Sequence, residues 1–128
     1  MIVDTSIIIA ILLKEPGYRD LYEKLVDAGT SRISAASYVE TSMVLIGRQG
    51  DSIMTELNRL LVQLQVVPAS VDVEQARLAV DAFRRYGKGR HRAGLNFGDC
   101  FSYALAKSTG EPLLFKGTDF GRTDVGVA

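Results

Sequence analysis

Short apolar runs alternate along the chain with longer amphipathic stretches, and this alternation restricts the fold more than any other feature. Met1–Asp4, Arg32–Ala35, Gln65–Pro68 and Pro112–Lys116 are too short for helices and read as strands. Between them lie segments with helical spacing. Ser6–Lys14 is closed by the breaker Glu15-Pro16-Gly17. Tyr18–Ala28 places Leu21, Leu25 and Ala28 on one face and stops at Gly29. Tyr38–Arg48, Asp51–Gln65, Asp72–Tyr86 and Phe97–Ser108 complete the set, with Asp72 and Gln75 spaced as a helix cap. The tail, Gly117–Ala128, reads as loop with one edge strand. Strands that alternate with helices predict an α/β domain whose mostly parallel sheet is covered on both faces.

Composition narrows the chemistry. The 128 residues fit a single domain spanning 1–128, and 47% hydrophobic content argues against disorder. Lys plus Arg equals Asp plus Glu at 15 each, so any attraction for nucleic acid must come from local clusters. One cysteine, Cys100, excludes an intrachain disulfide and a Cys-based zinc site, and the single histidine, His91, excludes a His-rich one. The opening Met1-Ile2-Val3-Asp4 meets an acid too early for a signal peptide. The longest apolar run, Ile7–Leu13, is far below the ~20 residues that span a bilayer. The expectation is a cytoplasmic protein with no membrane partner.

In parallel sheets the ligand crevice lies outside the carboxyl ends of the strands, so acids near strand ends matter most. Asp4 follows the first strand, and Asp119 follows Leu113–Lys116. Glu40 and Asp99 open helices that such strands would feed. Each has a structural explanation of its own. Asp4 can cap the helix after it, Ser37 and Glu40 fit a capping box, Asn96 and Asp99 fit another, and Asp119 can end a strand in a turn. Together, converged at one sheet edge, the acids would repel strongly unless a cation neutralised them. An oxygen-only donor set suits Mg²⁺ or Mn²⁺ better than zinc. Such an ion lowers the pKa of a bound water and serves phosphate-ester hydrolysis.

These residues resemble the PIN-domain family, and within it the bacterial VapC-type toxins. The resemblance spans essentially the whole chain. It rests on Ile2-Val3-Asp4-Thr5-Ser6, Ala36-Ser37-Tyr38-Val39-Glu40-Thr41, Tyr86-Gly87-Lys88-Gly89-Arg90-His91, Leu95-Asn96-Phe97-Gly98-Asp99-Cys100-Phe101 and Pro112–Phe120 in that order. It implies a three-layer α/β/α fold, a Mg²⁺-dependent endoribonuclease, a VapB-like antitoxin partner and a homodimer. Asp4, Glu40 and Asp99 match the family's three core acids, which hold the metal. Asp119 matches the fourth, less constant acid, and Thr5 or Ser6 the hydroxyl residue that supports the first. Here the sequence departs from the pattern. Many relatives carry Thr-x-Asp-x-Asp-Phe near the C-terminus, whereas this chain has Phe115-Lys116-Gly117-Thr118-Asp119-Phe120. Asp124 is the nearby alternative for the fourth acid.

Arg84, Arg85, Lys88, Arg90 and Arg92, with His91, crowd the glycine-rich stretch just before Asp99. They are the expected RNA-backbone contacts, against the plainer reading of a solvated loop. His91 is expected to touch phosphate or base, and Cys100 to act as a small hydrophobe. The Leu-rich stripe from Ile53 to Leu64 reads as core, part of it available to a subunit or antitoxin. Two readings compete with the ribonuclease. One is a non-catalytic PIN-like module that binds RNA or protein. The other is a small-molecule phosphatase, which would need an early Asp-x-Asp that Asp4-Thr5-Ser6 lacks.

Overall fold

The computed structural model describes residues 1–128. Its strands are β1 (Ile2–Val3), β2 (Ser31–Ser34), β3 (Val66–Ala69) and β4 (Leu113–Leu114). Helices α1 (Thr5–Leu12) and α2 (Tyr18–Ala28) follow β1, and α3 (Ala35–Gln49) and α4 (Ile53–Gln63) follow β2. Helices α5 (Val73–Tyr86) and α6 (Phe97–Thr109) connect β3 to β4. All pairings are parallel, in the order β3-β2-β1-β4. Pro68 lies in β3 at the sheet edge, where a residue without an amide proton is tolerated.

The two-residue strands explain the layering. Successive strand residues point to opposite faces. Ile2 and Leu113 join one buried cluster with Ala79, Ala82, Tyr103 and Leu105 of α5 and α6. Val3 and Leu114 join the other, with Ile7, Leu25, Leu45 and Leu57 from α1 to α4. The three-layer α/β/α arrangement follows from that alternation.

The chain order reverses beside β1. From β1 the path moves outward through β2 to β3, then crosses back to β4 on the other side. The carboxyl end of β1 is therefore the topological switch point, where open α/β sheets form their crevice.

Some boundaries differ from the sequence reading. Helix α3 begins at Ala35, not Tyr38, because the Ser34 hydroxyl caps it by accepting from the Ala36 amide at 3.3 Å. Ala35-Ala36-Ser37 shows no apolar periodicity, so this first turn had no sequence signal. Ser37 is thus inside the helix, and the Ser37–Glu40 capping box does not form. The tail contributes a short 3₁₀ turn, Phe120–Arg122, and a single parallel bridge from Val127 to Leu113 in place of an edge strand. The Asp72 cap forms as expected, its carboxylate accepting from the Gln75 amide at 2.8 Å. No helix is long and apolar enough to cross a membrane.

Candidate active site

Asp4 is at the switch point. Its amide still donates to Leu114 O at 3.0 Å, holding it to the sheet, while its extended backbone (φ −83°, ψ 156°) opens α1. The buried carboxylate accepts three hydrogen bonds. Oδ2 takes the Ser6 amide at 3.0 Å and the Ser6 hydroxyl at 2.7 Å. Oδ1 takes the Ser102 hydroxyl at 2.6 Å. Capping and site formation are therefore one arrangement. Of the two hydroxyl candidates, Ser6 touches the carboxylate and also accepts the Lys116 amide at 3.0 Å, tying the exit of β4 to Asp4. Thr5 instead donates to Ser37 O at 3.2 Å and accepts from the Thr41 hydroxyl.

Asp99 has a double role as well. Its amide donates to Asn96 Oδ1 at 2.9 Å, and its Oδ2 accepts from the Asn96 amide at 3.0 Å, a complete capping box at the start of α6. Burial pushes its carboxyl up to about 6 against the opposing effect of the Asn96 amide, and the negative charges of Asp4, Asp119 and Glu40 push it further. Those four acids thus share one local field. Glu40 lies against the first turn of α6, so close that a Cβ on Gly98 would overlap its carboxylate. Asp119 is exposed where the chain leaves β4, with no side-chain cap bond.

Asp124 is committed elsewhere. It accepts from the Tyr103 hydroxyl at 2.6 Å and Lys107 Nζ at 3.1 Å, with Arg85 at 3.6 Å. These donors hold its carboxyl below the usual range despite the opposing effect of burial. Asp124 is not among the charges acting on Asp99.

The four acids offer only hard oxygen donors, and their crowding favours neutralisation by a cation. No three Asp, Glu, His or Cys side chains stand close enough to hold an ion unaided. The donor chemistry fits a small divalent ion that retains water in its shell, as Mg²⁺ does.

The basic segment divides in two. Arg85, exposed like its neighbours, stacks on Tyr86 at 4.9 Å and reaches the Tyr86 hydroxyl, Tyr103, Asp81 and Asp124, so its guanidinium already has partners within the chain. Arg84, Lys88, Arg90 and Arg92 are exposed. His91 packs edge-on to Tyr86 at 5.2 Å, and its Nδ1 accepts the Ala93 amide at 3.0 Å. The sequence reading missed Ser102 and took Ser37 only as a helix cap. Their only signal was a serine within the apolar stretch Cys100–Ala106 and another one turn before Glu40.

A parallel α/β domain with acids beside its topological switch point carries the oxygen donors that metal-assisted phosphoester hydrolysis requires. The family model for the PIN domain matches residues 1–126. A ribonuclease VapC from Mycolicibacterium smegmatis is 51% identical over 125 residues, covering 98% of this chain and 97% of that protein. Ribonuclease VapC30 of Mycobacterium tuberculosis is 49% identical over 126 residues, covering 98% and 95%. Among solved structures, Mycobacterium tuberculosis VapC20, described as a Sarcin-Ricin loop cleaving toxin, superposes with a TM-score of 0.77 at 18% identity, over 99% of this chain and 97% of that one. A toxin-antitoxin complex from Klebsiella pneumoniae gives 0.70 at 18% identity, over 99% and 95%. The chain belongs to the PIN-domain family, among the VapC ribonucleases that form the toxin part of toxin–antitoxin systems. PIN-domain ribonucleases are in general metal-dependent.

Proposed function

We propose that residues 1–128 work as one PIN domain that hydrolyses RNA phosphodiester bonds with Mg²⁺, or Mn²⁺ in its place, held directly by Asp4 and Asp99, with Glu40 helping directly or through water and Asp119 completing the acidic pocket. The observation that carries this reading is the meeting of α1, α3 and α6 at Asp4: Ser102 of α6 donates to its carboxylate at 2.6 Å, and the Glu40 carboxylate lies against Gly98, next to Asp99. When bound, the ion supplies charge neutralisation at the phosphate and a lower pKa for its water.

The chain's own residues do the rest. Of the roughly four lone pairs of a carboxylate, Ser6 takes both on Asp4 Oδ2, and Ser102 takes one on Oδ1. One acceptor site on Oδ1 is left for a ligand. Asp99 keeps Oδ1 free because the Asn96 amide binds Oδ2. Gly98 lets Glu40 approach the same point. Water attacks phosphorus, the P–O3′ bond breaks and the 3′ oxygen takes a proton, leaving 5′-phosphate and 3′-hydroxyl ends. Arg84, Lys88, Arg90, His91 and Arg92 line the path of the RNA backbone, and Arg85 braces their segment. Sequencing the ends of RNA cleaved by the purified chain, alongside Asp4→Asn and Asp99→Asn, tests the reading. Undiminished cleavage by either variant overturns it.

The enzyme acts in the cytoplasm, where its RNA substrate is, independently of membranes, and a VapB-like antitoxin restrains it. It works as a homodimer joined through the face between α5 and α6. Phe97, 81% exposed, lines a groove of about 570 Å³ together with Ala79, Val80, Phe83 and Phe101. An exposed apolar face of this kind suits the self-complementary contact of a two-fold dimer. Sedimentation of wild type and Phe97→Asp tests this, a wild-type monomer being the outcome against it.

A further inference from the structure

We infer that Ser37 and Ser102 form a directed hydroxyl relay that sets the position of Asp4 Oδ1, making both serines positioning residues for the cation site. The inference rests on the metal reading above and goes beyond it. Ser102 Oγ is 2.6 Å from Asp4 Oδ1 and 3.2 Å from Ser37 Oγ, and both serines are buried, at 0% and 1% exposure. A carboxylate accepts only, so the single proton of Ser102 points to Asp4. Ser37 must then donate its proton to Ser102. The relay runs one way, from α3 through α6 to the end of β1.

That direction matters. Oδ1 is the oxygen with an acceptor site to spare, since Oδ2 is saturated by Ser6. Polarisation along such a chain strengthens its last bond, and that bond falls on the oxygen available to a ligand. The relay also ties the acid-bearing elements together. Ser37 lies three residues before Glu40 on α3, and Ser102 three after Asp99 on α6. Ser102→Ala would leave Asp4 Oδ2 held by Ser6 and remove the one hydrogen bond that orients Oδ1. The fold would keep its core while the ligand oxygen no longer had a fixed direction.

Outer partners of metal ligands of this kind typically change affinity or activity about 10–100-fold when removed. Calorimetric titration with Mn²⁺ in the absence of RNA is the test, on the full chain with folding checked by circular dichroism. Ser102→Ala should raise the Mn²⁺ Kd about tenfold. Ser37→Ala should raise it less, and the double variant should match Ser102→Ala alone, because Ser37 acts only through Ser102. RNA binding in EDTA should be unchanged throughout. A serine with a merely structural role would lower Tm and leave the Mn²⁺ Kd alone. An unchanged Kd in folded Ser102→Ala overturns the relay. Should that variant fail to fold, an unchanged Kd in Ser37→Ala does so. A wild-type chain that binds no Mn²⁺ overturns the metal reading itself, an outcome distinct from either of these.

Discussion

The carboxylate of Glu40 occupies the space that a side chain at Gly98 would need. This contact joins the second turn of α3 to the first turn of α6 and brings Glu40 into the field acting on Asp99. On an exposed helix, Gly→Ala gains about 1 kcal/mol of helix propensity. Here Gly98→Ala should instead push Glu40 away and cut RNA cleavage about 100-fold, the usual scale for a misplaced catalytic group. Steady-state cleavage by a variant with unaltered circular dichroism is the check, and near-normal activity would detach Glu40 from the site.

Asp99→Asn should abolish cleavage yet stabilise the metal-free protein at pH 7. The wild-type carboxyl is pushed up to about 6 from an ordinary 3.8. A raised acid pKa contributes stability below the unfolded value, and that contribution is lost as pH rises through the folded one. In EDTA, the stability of wild type relative to the variant should therefore fall between about pH 4 and pH 6. The shift corresponds to about 3 kcal/mol for a fully buried group, and the partial exposure of Asp99 reduces it to the order of 1 kcal/mol. Thermal midpoints of the two proteins across that window are the check, and a flat difference would mean that burial and the neighbouring acids do not hold Asp99 above its ordinary value.

Asp4→Asn should also abolish cleavage but should destabilise. Its carboxylate accepts three hydrogen bonds, and an amide nitrogen would turn one acceptor position into a donor facing Ser102 or Ser6. A cost of about 1–3 kcal/mol is the scale for a buried polar mismatch. Opposite signs of stability change for two inactivating substitutions separate the hydrogen-bonded acid from the desolvated one. Equal Tm shifts would refute the distinction.

Asp119→Asn should reduce cleavage with little change in stability, because Asp119 is exposed and makes no cap bond. Asp124→Asn should do the reverse, weakening its links to Tyr103, Lys107 and Arg85. Cleavage rates and Tm for both variants give the ranking, and a larger activity loss at Asp124 would move the fourth-acid role there.

The basic residues should separate in a salt series. Removing one side chain that neutralises a phosphate reduces the slope of RNA affinity against salt by about 0.7 for a single strand. Lys88→Ala and Arg90→Ala should show that decrease. Arg85→Ala should lower Tm more than it alters the slope, since its guanidinium is engaged by Tyr86, Asp81 and Asp124. Identical slopes for all the variants would mean that RNA runs along another surface.

The sequence by itself determined the α/β alternation, because strand-length apolar runs and helical spacing are local properties of the chain. It marked Asp4, Glu40, Asp99 and Asp119 as acids near the ends of elements, and it supplied the caps at Asp72 and Asn96, which depend on contacts within one turn. Each structural explanation for Asp4 and Asp99 was sound in itself, and capping and site formation proved compatible because a carboxylate has acceptor sites for both. What the tertiary structure decided were relationships across long separations. Sheet order put the switch point at Asp4. Packing of α5 and α6 onto the sheet joined Ser102 to Asp4 across 98 residues and Asp124 to Tyr103 across 21. It also paired Arg85, which stays exposed, with Tyr86, Asp81 and Asp124. Such pairings arise from where rigid elements meet, and local residue spacing carries no record of that.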